Sequence, residues 1–544
     1  MAQLTAPDLG IGKKRRPSSR VSLGWLRSES TLVLLAGLVL YSFMVWLVVF
    51  RLNLFVTDGM ARTIAAWRVF FGPDPKLSEI GFIWAPLPTL LQLPLVLVPV
   101  LQEKGLSGNV LTAIMGAFTL GSLNRIFRGY GLSRQVRYTL LALFAINPMI
   151  LFYSSNALSE MTFIFFTLLS VDYLLGWHRT RAIRPLISLG FAVGLALLAR
   201  YDTAVHAWLL LPVLYLLIHE RVAKPSEAQA LLVTYFAPVC FFGGLWVLFN
   251  LMIMGDPLYF ARGAYSNTAQ IGYQMALLSN IARLTGNPVE IAKFMSQQIT
   301  ELFPIFSVAL VGLFVDAART RHRLSLSVAL LALSFPAFQT LNFLTGQSAA
   351  FLRYFILAIP YGYWMAAHLI ARLAPGSNRS AVTAVLVVGL ALSNVSSGFA
   401  MLHATEWGQW NDTFIKAMLN QERINTFYEE REIANFLLAN VKGQEVLVDA
   451  FQGYRIMFFT ENMMMWHANG DDDYDEVLKN PFGKVRYILV YRPQLETALN
   501  RVNKSFPTLY EHGAEWAELR GDWPIQGWRL YEIKPGVVIP QVAG

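Results

Sequence analysis

Apolar runs of about 17 to 22 residues recur from Thr31 onward, each long enough to cross a ~30 Å hydrocarbon core as a helix. Inside a bilayer every backbone N–H and C=O must be bonded within the span, so runs of this kind admit helices and little else. Of the 544 residues, 55% are hydrophobic and 15% charged, which fits spans joined by short polar loops. The expected fold class is a polytopic α-helical membrane protein with about eleven transmembrane helices. They are read at 31–50, 108–126, 138–153, 161–177, 186–199, 203–219, 230–252, 299–316, 324–343, 354–371 and 381–400.

The basic residues give the orientation. With the N-terminus inside, alternate loops carry Arg125, Arg128, Arg134 and Arg137, then Arg179, Arg181 and Arg184, then Arg221 and Lys224, then Arg319, Arg321 and Arg323, then Arg372 and Arg379. All of these clusters fall on one side, as the positive-inside rule requires, so the formal charge of +9 encodes topology and not nucleic-acid binding. The run 86–101 holds Pro86, Pro88, Pro94 and Pro99, and counting it as a crossing would invert the next basic loop. It is read as a re-entrant or interfacial element.

This frame gives a basic cytoplasmic tail over 1–30, a membrane domain over 31–400 with external loops 51–107 and 253–298, and an extracytoplasmic α/β domain over 401–544. Lys13-Lys14-Arg15-Arg16 precedes a full-length span with no small-residue cleavage pattern, so the first helix is expected to remain as an anchor in an inner, plasma-membrane location. In the last domain a helical stretch over 422–440 precedes strand-like runs at 445–451, 485–491 and 528–533, with a helical segment at 495–503, and Trp407 and Trp410 near the membrane interface. The single Cys240 lies in an apolar run, which excludes an internal disulfide or a cysteine metal site.

Candidate chemistry sits on the external side. Asp58 follows the first span and opens an Arg/Trp-rich amphipathic stretch through Arg62 to Arg68, and Glu160 begins a later span. Carboxylates at membrane depth are costly, so two converging from different loops point to a site. Either acid also suits the start of a helix, where a carboxylate accepts backbone N–H bonds. Arg200, with Tyr201 and Asp202, and Arg353, with Tyr354, stand at outer span ends where guanidinium groups can hold a lipid phosphate. The bland roles are an Arg200–Asp202 pair and a snorkelling Arg353.

Asp58, Trp84-Ala85-Pro86-Leu87-Pro88, the acid closing Ser155-Asn156-Ala157-Leu158-Ser159-Glu160, Leu197-Leu198-Ala199-Arg200-Tyr201, and Arg353-Tyr354 followed by Pro360 together resemble the GT-C membrane glycosyltransferases. The nearest group is the protein O-mannosyltransferase and aminoarabinose transferase group, glycosyltransferase family 39-like, and the resemblance covers roughly residues 31–400. It implies a glycosyltransferase that moves a sugar from a polyprenyl-phosphate carrier to a lipid, glycan or protein acceptor at the outer face of the membrane, with inversion. Asp58 maps to the first-loop catalytic acid, and the other expected contacts are Arg200 and Arg353 at the phosphate, Arg62 and Glu160 around the sugar, Tyr201 and Tyr354 beside them, and Arg262 in the 253–298 loop.

The sequence departs from the group in two places: Gly59 stands where protein mannosyltransferases carry a second acid, and Ser159 where many members have proline. Both weigh against protein mannosylation. No cofactor is required by this reading, although Asp58 and Glu160 would suit magnesium or manganese if a divalent cation were used. The competing functions are a transporter or lipid flippase, which usually shows two related halves, and an envelope polysaccharide polymerase or ligase using the 253–298 loop. Asp471-Asp472-Asp473 reads as a solvated loop ahead of a helix, and His206, His219 and His368 as isolated histidines on apolar spans without HExxH spacing.

Overall fold

The computed structural model describes residues 29–219, 224–274, 279–374, 376–404 and 410–535. The basic tail before Glu29, Arg221 and Trp407 lie outside the described residues. Among the described residues seven helices are long and apolar enough to cross a membrane: Glu29–Arg51, Ser107–Gly129, Glu160–Thr180, Pro225–Met254, Arg323–Leu344, Leu352–Arg372 and Asn378–His403. Pro288–Leu302 and Pro304–Thr320 are apolar enough as a pair, and their axes meet at 111°. The protein is an integral membrane protein built from helices.

Several of the eleven expected runs are shorter or broken helices. The run 138–153 is two helices, Arg134–Ala145 and Pro148–Tyr153. Asn147 caps the second, its side chain accepting from the backbone N–H groups of Met149 and Ile150, and Pro148 takes the first turn where its missing N–H costs nothing. Phe303 before Pro304 is driven out of the helical region, to φ −151°, so the run 299–316 turns there and the Pro288–Leu302 helix lies across the span that follows. Ile183–Ala199 and Thr203–Ile218 have 17 and 16 residues, or about 24–26 Å of helix, at the short end of what spans a core. The proline-rich run 86–101 forms Leu87–Val96 and Pro99–Gln102, each far too short to cross. Leu87–Val96 packs on Thr57–Phe71, Ser107–Gly129 and Ile183–Ala199.

The C-terminal domain is a five-stranded mixed sheet in the order β2-β1-β3-β5-β4, with β1 Val446–Leu447, β2 Trp466–His467, β3 Tyr487–Tyr491, β4 Ala517–Trp523 and β5 Trp528–Ile533. β1 runs parallel to β2 and β3, while β5 is antiparallel to β3 and β4. The 445–451 run ends as a strand at Leu447, because Asp449 caps the helix Ala450–Thr460 by accepting from Phe451 N–H. The expected 422–440 helix starts at Tyr428, and 495–503 divides into the 3₁₀ turn Leu495–Leu499 and the short helix Arg501–Ser505. β2 is two residues long, and β4 is an edge strand whose Glu518, Arg520 and Asp522 keep it polar, so neither carries an apolar signature.

This domain docks on the segment between the first two long helices. Phe458 of Ala450–Thr460 stacks on Trp67 of Thr57–Phe71 at 5.6 Å and meets Phe55 edge-on at 5.4 Å. Arg68 donates from Nε to Glu79 at 2.7 Å and from Nη2 to Asp471 at 2.8 Å, all three side chains being buried. Asp471 is therefore not part of a solvated loop: the loop folds back and its first acid closes a buried triad. Its neighbour Asp472 stays outside and takes Lys76 at 2.5 Å.

Candidate functional site

Thr57–Phe71 is amphipathic and starts without a side-chain cap, so Asp58 in its first turn is free to point elsewhere. Its Oδ2 accepts from Arg353 Nη1 at 2.9 Å, and its side chain is 30% exposed, which leaves it open to an incoming molecule. The adjacent Gly59 is required by close approach. A Cβ there would sit 2.5 Å from the carbonyl oxygen of Asn156 and 3.0 Å from the Ala157 Cβ, so the Asp58 and Asn156 segments touch backbone to backbone.

Glu160 is the first residue of Glu160–Thr180 and is fully buried. Its Oε1 accepts from Arg200 Nη1 at 2.7 Å and lies 3.8 Å from Arg353 Nη1, while Oε2 has no hydrogen-bond partner among the described residues. Arg200 sits where the Ile183–Ala199 helix gives way to extended backbone, and it also bonds Asp202 Oδ2 at 3.1 Å from Nη2. Arg353 lies in the 3₁₀ turn Leu352–Phe355 that opens its span. The ring of Tyr354 stands 5.7 Å from the Arg200 guanidinium and 5.8 Å from that of Arg353. One line of alternating charge results, Asp58–Arg353–Glu160–Arg200–Asp202, drawn from four separate segments. The Arg200–Asp202 pair is present, but as one link in that line.

Arg62 lies one turn beyond Asp58 and is buried against the Trp84 ring at 4.7 Å. Its two hydrogen bonds, to the Ala85 carbonyl and Thr89 Oγ1, are both 3.4 Å long. Burial pushes its guanidinium down to about 10, against the opposing pull of Asp58 and Glu160. Among the described residues no carboxylate is in contact with it, so Arg62 is the cation here that a bound anion would relieve. Tyr201 donates to the Ile83 carbonyl at 3.3 Å and accepts from Trp246 Nε1 at 3.1 Å, and Phe260 packs on its ring at 5.1 Å. Arg262 ends the short helix Tyr259–Arg262 and is exposed, at the rim and not inside the cluster.

ArnT from Cupriavidus metallidurans in the apo state superposes with a TM-score of 0.54 over 96% of this chain and 100% of its own, at 13% identity. The fold is of the GT-C type. The archaeal oligosaccharyltransferase AglB from Archaeoglobus fulgidus, in complex with an inhibitory peptide and a dolichol-phosphate, is a looser structural neighbour, with a TM-score of 0.42, 10% identity and 93% and 75% of the two chains covered. No family model matches the sequence, and no curated protein matches it either.

In this fold guanidinium groups supply the positive charge beside the two acids, Arg353 on Asp58 Oδ2 and Arg200 on Glu160 Oε1. Trp84, part of the motif quoted from the sequence, supplies the aromatic face under Arg62. One further residue joins the site without having been read from the sequence: Tyr454, from the C-terminal domain, stands beside Thr57 and Arg455 and within the field of Asp58. Nothing in the local sequence marks Tyr454, since only the docking of Ala450–Thr460 brings it there.

Proposed function

We propose that this chain is a membrane glycosyltransferase that takes a sugar from a polyprenyl-phosphate carrier and passes it to an acceptor at the membrane face where Asp58 lies. The observation that carries the reading is the convergence of a solvent-reachable Asp58 with Arg353 and the unneutralised, buried Arg62 at the junction of four segments. The GT-C fold agrees with it. In this reading the site and the C-terminal domain face outward from the plasma membrane, and the N-terminus faces the cytoplasm.

The chemistry follows from the placement. An acceptor hydroxyl reaching Asp58 gives up its proton to the carboxylate as its oxygen bonds to C1 of the sugar. The bond from C1 to the phosphate oxygen breaks on the opposite face and the electron pair leaves with the lipid phosphate, so the anomeric centre inverts. Arg62 and Arg353 meet the charge that develops on that phosphate. Arg200, fully engaged by Glu160 and Asp202, positions Glu160 and does not touch the leaving group. This differs from the expectation that Arg200 itself binds phosphate. In this reading guanidinium groups supply the positive charge at the phosphate.

The test is release of free polyprenyl phosphate from a panel of polyprenyl-phosphate sugars by the purified protein, beside Asp58→Asn. Release by the wild type with a loss of about 100-fold or more in the variant supports the assignment. Equal release from both proteins removes Asp58 from the chemistry.

A further inference from the structure

At the opposite end of the span that Arg353 opens, the fold gathers residues from three segments. Asp316 comes from Pro304–Thr320, His322 caps the following helix, and His368 sits about 22 Å along the helix from Arg353, at 1.5 Å per residue. One ligand atom from each of Asp316, His322 and His368 lies within 4.8 Å of the others. The histidine read as isolated on its span is thus one of a group.

Proton counting makes the group unusual. Ser325 Oγ stands between the three, 2.5 Å from Asp316 Oδ2, 2.8 Å from His322 Nδ1 and 2.9 Å from His368 Nε2. His322 Nδ1 already accepts the backbone N–H of Ser325 at 3.2 Å, so it presents a lone pair to the hydroxyl. A carboxylate presents only lone pairs as well. The single hydroxyl hydrogen can serve one of the two, and the other contact is acceptor against acceptor. If His368 donates from Nε2, its buried Nδ1 is left as a further lone pair with no partner among the described residues.

We propose that Asp316, His322 and His368 form a divalent-cation site of the zinc class, with Ser325 or a water as the fourth ligand. Two imidazoles and one carboxylate are a zinc donor set. The present spread closes by side-chain rotation to the ~3.4 Å edge of a tetrahedron with ~2.1 Å bonds. Arg372 Nε, 3.0 Å from Asp316 Oδ2, holds that carboxylate from outside the cluster. The site is separate from the transferase reading and does not rest on it, because its readout is metal content.

The experiment strips the full-length, detergent-purified protein with a chelator, reloads it with zinc and washes it. The expected result is about one zinc per chain in the wild type, lost in His368→Gln and Asp316→Asn and kept in Asp58→Asn. Cobalt(II) loading of the wild type, which involves no folding risk from mutation, is expected to give the visible d–d bands of a tetrahedral site. A monodisperse wild type that retains no metal and shows no such bands overturns the proposal, leaving a hydrogen-bonded cluster only. Metal lost in Asp58→Asn but kept in His368→Gln overturns it too, placing the ion elsewhere.

Discussion

Arg68 and Asp471 are separated by 403 positions in the chain and by 2.8 Å in the fold. The bond is buried, and Glu79 takes the same guanidinium from the other side. Two carboxylates face one cation at the seam between the 57–80 segment and the C-terminal domain.

Removing the shared cation should loosen that seam. Arg68→Met leaves two buried acids without a counter-charge, and truncating one partner of such a cluster costs about 3–5 kcal/mol. Limited proteolysis is expected to free the C-terminal domain from the variant at protease levels the wild type survives.

The same triad gives a pH dependence of unusual sign. Burial raises Glu79 and Asp471 above the ordinary carboxylate range, with Arg68 opposing. A carboxylate whose folded value exceeds its unfolded value contributes stability that is present below the unfolded value and lost as pH rises through the folded one. The seam should therefore hold more firmly at about pH 5 than at about pH 8, and Glu79→Gln should flatten the difference. Thermal melts of wild type and variant at the two pH values measure it.

At the site, Arg200→Ala strands Glu160, which is fully buried. The loss should appear in folding first, about 3–5 kcal/mol, whereas Glu160→Gln keeps the shape and is expected to melt close to wild type. Arg62→Ala, in contrast, should raise KM for the lipid-phosphate donor by about tenfold, the worth of one charge-assisted hydrogen bond to phosphate. Donor titrations of the two variants separate a positioning residue from a binding one.

Gly59→Ala tests the loop contact. The new methyl would lie 2.5 Å from a backbone oxygen that cannot rotate away. Overpacking of this kind costs about 1–3 kcal/mol, and displacement of Asp58 is expected to lower kcat by more than that stability loss explains. Melting temperature and turnover, measured on one preparation, check the pair of effects.

Tyr454→Phe removes only a hydroxyl. Its contact with Thr57 is worth about 1 kcal/mol. The variant should fold normally and show a several-fold drop in turnover, measured by the same phosphate-release assay.

The long spans were legible because continuous apolar runs survive any register error. Their interruptions were written in the sequence too, as Asn147-Pro148 and Phe303-Pro304, but hydropathy averages over a cap and a proline. Asp58, Glu160, Arg200 and Arg353 could be singled out because charge at membrane depth is rare. Their division of labour could not, since it depends on which guanidinium finds a carboxylate in space. Asp471 was misread for the same reason: a loop of three aspartates looks solvated until its partner arrives from the other end of the chain. β4 escaped notice because an edge strand has no need of an apolar alternation.

The helix Thr57–Phe71 carries Asp58 at one end and Arg68 near the other, about 15 Å apart at 1.5 Å per residue. One rigid rod thus bears both the acid of the candidate site and the peg on which the C-terminal domain hangs. The two domains are not interchangeable modules. A chimaera that exchanged residues 410–535 for those of another protein would have to bring a matching 57–80 segment with it, and in doing so would replace the scaffold that carries Asp58.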